Sequence, residues 1–143
     1  LLFHEGGDLK RAVKDYQKTI ERNPDYPDVY VNLGNISWTR DRDFAEAVRW
    51  YGKALMRADG HYLARLNRAE ARLHLGDFAG AEHDAIKALH VRSTSHGEAL
   101  RALALLRLGN EKEAAKAARK AIALDPKLAS LDDGAWREEL RRL

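Results

Sequence analysis

Residues 76–93 read GDFAGAEHDAIKALHVRS, and this stretch decides the fold. Ala81 is followed at steps of four, seven, eight and twelve by Ala85, Ala88, Leu89 and Ser93. Small and apolar residues at the first three of those steps share one helical face, so they form a buried stripe. Ser93 is a turn former that closes the helix. Asp77 stands four residues before the anchor alanine. Its side-chain oxygen can accept a bond from an orphan backbone N–H, which makes it an N-cap. Gly76, just before it, can end the preceding helix in the left-handed conformation.

The same frame recurs. From Ala12 the steps give Tyr16, Thr19, Ile20 and Pro24; from Ala47, Tyr51, Ala54, Leu55 and Asp59; from Ala114, Ala118, Ala121, Ile122 and Pro126. The four anchors lie 35, 34 and 33 residues apart. Asp8, Asp43 and Asn110 repeat the cap, and Gly7 and Gly109 repeat the glycine. The second copy lacks that glycine and carries one extra residue, which the spacing places in the turn Thr39-Arg40-Asp41-Arg42. A self-similar period of this length is the mark of a helical repeat array.

A second pattern lies between the anchors. Tyr30-Val31-Asn32-Leu33-Gly34, Leu66-Asn67-Arg68-Ala69 and Ala99-Leu100-Arg101-Ala102 put a small residue 13, 12 and 12 positions before the next anchor. A small residue inside a helix lets a neighbour approach closely. Gly34 costs about 1 kcal/mol of helix propensity against Ala, so a packing reason is expected. Arg65, Arg68 and Arg72 stand where apolar core residues are expected, and the helix that carries them is predicted to be rotated or more exposed. Helices are predicted near 8–22, 27–40, 43–57, 61–74, 77–91, 95–107 and 110–123. Leu131, Asp132 and Trp136 fit a hydrophobic staple, with Leu140 and Leu143 on the face of Trp136, which predicts a capping helix.

The two patterns together resemble the tetratricopeptide repeat, a 34-residue helix-turn-helix unit with Trp-x2-Leu-Gly-x2-Tyr, then Ala-x3-Phe, then Pro. Tyr30, Leu33 and Gly34 match its first part; Ala12, Tyr16 and Pro24, then Ala47 and Tyr51, then Ala114 and Pro126 match the rest. The resemblance covers most of the chain. It implies an all-α, right-handed α-solenoid divided as a partial repeat 1–24, repeats 25–59, 60–93 and 94–126, and a C-terminal capping helix 127–143. The chain opens on Leu1 rather than Met, and residues 1–5 read as the tail of a helix whose start is missing, so a longer array is expected.

In this family the first helices of successive repeats line a concave groove that commonly binds a peptide. The resemblance therefore implies a non-catalytic protein–protein interaction scaffold. Carried over by position, its partner-binding groove includes Val31, Asn35 and Trp38, then Leu63, Leu66, Asn67, Glu70, Leu73 and His74, then His96, Ala99, Leu103, Leu106 and Arg107. Chaperone-binding members clamp a C-terminal carboxylate with lysine, asparagine and arginine. Asn35 and Asn67 match two of those positions, but Val31, His96 and Leu100 replace the cations, so the clamp is not expected here.

Composition narrows the alternatives. The 143 residues are 33% charged and 45% apolar, with a net charge of +3, three prolines and no cysteine. The absence of cysteine removes disulfides, thiolate chemistry and Cys-ligated metals, and it leaves the compartment open: cytoplasmic is the expectation, periplasmic the alternative. No apolar run approaches the roughly 20 residues of a membrane span. His4, His61, His74, His83, His90 and His96 show no ligand spacing with a matching carboxylate, so no metal or other cofactor is expected. Neither a phosphate loop nor a nucleophile elbow occurs. A basic stripe on the opposite face (Lys10, Lys14, Lys18, Arg49, Lys53, Arg57, Lys112, Lys116, Arg119 and Lys120) raises RNA binding as an alternative. Acidic Asp15, Glu21, Glu46 and Glu113 interrupt it, and nucleic acid is not the expected partner. Self-association through the repeat ends is the third reading.

Overall fold

A computed structural model describes residues 7–129. Among these the chain is all α: α1 (Gly7–Arg22), α2 (Pro27–Thr39), α3 (Phe44–Arg57), α4 (Tyr62–Leu75), α5 (Phe78–Val91), α6 (Ser95–Arg107) and α7 (Glu111–Leu124), then a 3-10 turn at Pro126–Ala129. Each predicted helix is present to within about a residue at either end. The predicted helix tail at 1–5 and the capping helix around Trp136 lie outside the described residues.

The caps explain the helix starts. Asp43 accepts from the N–H of Glu46, Asp77 from Gly80 and Asn110 from Glu113, at 2.9, 3.0 and 3.4 Å. Asp8 departs from expectation: α1 already begins at Gly7, so Asp8 sits in its first turn. There a carboxylate still complements the helix dipole. The intervening helices start differently. α2 has Pro27 in its first turn, α4 is capped by His61 Nδ1 and α6 by Thr94 Oγ1.

Consecutive helices pack antiparallel through the array, and helices two apart also meet between α2 and α4 and between α4 and α6. The even-numbered helices therefore line the inner side, and α3, α5 and α7 back them. The interfaces are built on alanine: Ala47, Ala54, Ala64, Ala69, Ala85, Ala88, Ala102, Ala114 and Ala121 have no exposed surface. Gly34 has the packing reason its sequence position demands. A Cβ there would meet the Tyr51 ring at 2.5 Å. At the equivalent places in the next two repeats Ala69 shares a core cluster with Ala85, and Ala102 with Ala118, so small against small tolerates the methyl group.

The extra residue is in the predicted turn. The N–H of Asp77 reaches back to the carbonyl of Arg72 and that of Asn110 to Leu105, five residues each, but that of Asp43 reaches back six, to Ser37. Gly76 and Gly109 precede their caps with φ of 80° and 81°, and at the same place Arg42 takes φ 53°. A non-glycine residue there carries the steric cost of the left-handed region.

The prediction for Arg65, Arg68 and Arg72 is overturned: α4 is neither rotated nor more exposed. The three arginines point into the α4–α5 interface and surround Asp84, which has no exposed surface. Arg68 donates Nε to Asp84 Oδ2 and Nη2 to Oδ1, both at 2.8 Å, and Arg72 Nη1 donates to Oδ2 at 2.7 Å. Arg65 Nη1 reaches Oδ1 at 3.4 Å while its Nη2 holds the carbonyl and carboxylate of Asp59. Both oxygens of the buried carboxylate are thereby met by charged donors.

Candidate functional site

The inner helices gather part of the predicted groove into a cleft of ≈ 210 Å³, lined by Asn35, Trp38, Thr39, Tyr51, Asn67 and Glu70. Asn35 and Trp38 come from α2, Asn67 and Glu70 from α4; each pair is three residues apart, so both side chains of a pair share one helical face. Tyr51, from the backing helix α3, forms the floor. Its hydroxyl donates to Asn35 Oδ1 at 2.7 Å, and Asn67 Nδ2 donates to the same oxygen at 3.2 Å. Burial pushes the Tyr51 hydroxyl well above the usual phenol range, and the charge of Glu70 adds to the shift. The Tyr51 hydroxyl thus holds the Asn35 amide through its oxygen.

Beside Trp38 lies an aromatic group, Phe44 and the predicted groove residue His74, neither of which lines the cleft. Phe44 and His74 stack with ring centroids 4.4 Å apart, and Trp38 meets both edge-on at 5.1 and 5.2 Å. Arg42 lies over the Phe44 ring, 5.2 Å from its centroid. Trp38 thus both packs on the aromatic pair and lines the cleft. On the other side His96 Nε2 stands 3.5 Å from Glu70 Oε2.

The remaining predicted positions divide. Val31 and Leu66 are buried, at 6% and 4% exposure, and belong to the packing between helices rather than to an open surface. The same holds for Ala99. Leu73 and Leu106 are half-buried against the core clusters. Leu63 is 56% exposed, Leu103 half-buried and Arg107 exposed, and none of these lines the cleft. Tyr51 and Thr39 were not among the predicted groove residues. Tyr51 was legible as a core anchor, and nothing in its spacing says that its hydroxyl also reaches the inner side.

The middle of the basic stripe on the outer face is engaged within the protein. Arg49 pairs with Glu46 at 2.6 Å, Lys53 lies over Trp50 and Arg57 over Tyr30. Among the described residues no group of three or more His, Asp or Glu could hold a metal ion, and no helix is long and apolar enough to cross a membrane.

Comparison with known proteins agrees with this geometry. Family profiles described as TPR repeat match residues 1–39, and profiles described as tetratricopeptide repeat match 40–95 and 99–128. Tetratricopeptide repeat protein 6 of Homo sapiens is 38% identical over 63 residues, which are 44% of this chain and only 12% of that protein. Among solved structures, the TPR domain of Arabidopsis OM64 superposes with a TM-score of 0.71 at 26% identity, covering 81% of this chain and 91% of that domain. The first TPR of Spaghetti (RPAP3), bound to the HSP90 peptide SRMEEVD, gives a TM-score of 0.69 at 25% identity, covering 81% and 87%.

Proposed function

The chain belongs to the tetratricopeptide-repeat family, and we propose that it is a non-catalytic protein–protein interaction scaffold that holds a peptide or helical segment of a partner in the cleft between α2 and α4. The observation that carries this reading is the convergence of Asn35, Trp38, Asn67 and Glu70 from two successive inner helices over one floor. Indole offers a large apolar contact at low entropic cost, and such residues dominate interface energetics. Asn35 is held by Tyr51 and Asn67 through its oxygen, which leaves its N–H groups for a bound backbone carbonyl. The solved relative with an HSP90 peptide supports the class of ligand.

The test is affinity capture with the parent chain and with a Trp38→Ala, Asn67→Ala double variant of matched helicity. A partner held by the parent and lost by the variant supports the cleft. Retention of the same proteins by both rejects it.

A further inference from the structure

We propose that the cleft receives the cationic side chain of a lysine or arginine in the partner segment. The inference rests on the reading of the cleft as the partner site and specifies what occupies it.

Charge is the first argument. Among the residues that line the cleft, Glu70 is the one that carries charge. Its described partner His96 stands at the long distance of 3.5 Å, and the Glu70 side chain keeps 39% of its surface exposed, so the carboxylate remains open to a cation. Nearby guanidinium groups are committed elsewhere. Arg40 is bound through two nitrogens to both oxygens of Asp41, and Arg68 and Arg72 are held by Asp84.

Acceptor geometry is the second. Asn67, in the lining, spends its Nδ2 on Asn35, which leaves its Oδ1 as an acceptor. An amide oxygen and a carboxylate one helical turn apart suit a group that only donates, as ammonium and guanidinium do. Trp38 completes the set, because an indole ring attracts a cation placed over its face. The volume of ≈ 210 Å³ has room for such a head group and the end of its stem.

An acidic segment such as SRMEEVD finds the opposite field here. The positions from which the chaperone-binding pattern supplies cations hold Val31 and Leu100, both buried, and His96, which faces Glu70. An anion in this cleft would meet Glu70 with like charge, which suppresses binding.

Two pools of short synthetic peptides with matched apolar content test the proposal, one with a fixed central arginine and one with a fixed central glutamate. The parent chain should retain the arginine pool and release it as salt rises. Glu70→Gln, which keeps the shape of the side chain, should weaken the retained peptides up to about fivefold, an effect sized for a partly exposed ion pair. Glu70→Lys should transfer retention to the glutamate pool. If the retained peptides are neutral or acidic, bind Glu70→Gln as well as the parent and are lost from the Trp38→Ala, Asn67→Ala variant, the cationic occupant is wrong and the cleft stands. If retained peptides bind that double variant unchanged, or neither pool is retained, the cleft itself is wrong and the inference falls with it.

Discussion

Asp84 is the residue on which the middle of the array turns. It has no exposed surface and collects hydrogen bonds from three arginines, two of which remain partly open to solvent at 17% and 22% of their side chains. Counting from Gly34, Ala69 and Ala102, the places of Arg65, Arg68 and Arg72 are held by Tyr30, Leu33 and Ser37 one repeat earlier; counting from the anchors Ala47 and Ala81, the place of Asp84 is held by Trp50. There the Tyr30 and Trp50 rings pack 6.2 Å apart. One repeat later the same places hold Glu98, Arg101 and Leu105, and α7 offers only Ala117 opposite them; among the described residues Glu98 Oε2 and Arg101 Nε are buried without a hydrogen-bond partner. The same cavity in the fold is thus filled by rings, by ions, or by ions left incomplete. Removing one member of a buried ion group leaves uncompensated charge, so Asp84→Asn should cost about 3 kcal/mol in urea unfolding. Replacing the whole set by Arg65→Tyr, Arg68→Leu, Arg72→Ser and Asp84→Trp should restore the parental midpoint or exceed it, since apolar substitutes for buried ion groups are often neutral or stabilising. An unchanged midpoint for Asp84→Asn would show the network to be worth nothing. Gly34 gives a second prediction. Gly34→Ala drives a methyl group against the Tyr51 ring and should cost roughly 1–3 kcal/mol. In a double-mutant cycle with Tyr51→Ala that cost should largely vanish, because Ala69 against Ala85 shows two alanines sharing the same place.

At the scale of elements, the turn between α2 and α3 is the point where the repeat bends its own rule. Its longer loop needs a left-handed residue before the cap, as do the turns before α5 and α7, but places Arg42 where they place glycine. Arg42→Gly should therefore stabilise the chain by up to about 1 kcal/mol: relief of the left-handed strain outweighs the added freedom of the unfolded chain and the lost contact with Phe44. Arg42→Ala should not, because it keeps the Cβ, and comparison of the two melting curves separates strain from side-chain chemistry. The helices and this turn were legible in the sequence because each rests on local signals: a cap, a glycine, a stripe of alanines at fixed steps. The arginine cluster was not. Three charges on a core face read as an exposed helix as long as their counter-ion is unseen, and Asp84 lies 12 to 19 residues away on another helix, outside any local period. The cleft fell between. Register alone selected Asn35, Trp38, Asn67 and Glu70, but the same register also brought in Val31 and Leu66, which lie on the flank of their helices that turns into the packing. A shift of one position around a helix separates a lining residue from a core one, and sequence spacing is too coarse to resolve it.

Across the whole molecule, the stack makes stability a property of neighbours. Each helix from α2 to α6 is packed on both sides, whereas α1 has no buried residue and packs chiefly against α2. In a repeat array stability is approximately a sum of unit and interface terms, so opening follows position. Amide hydrogen exchange should therefore be fastest in α1 and slowest in α3 to α5, by at least about tenfold. The cleft is drawn from α2, α3 and α4, inside the well-packed part, and its floor bond from Tyr51 to Asn35 joins two of them. A peptide bound there should slow exchange in those three helices and leave α1 as it was, because α1 contributes nothing to the cleft. Slowing confined to α1 and α2 would instead place the bound segment on the half-exposed face of α1, and the array would then be packing its partner against that helix rather than holding it in the groove.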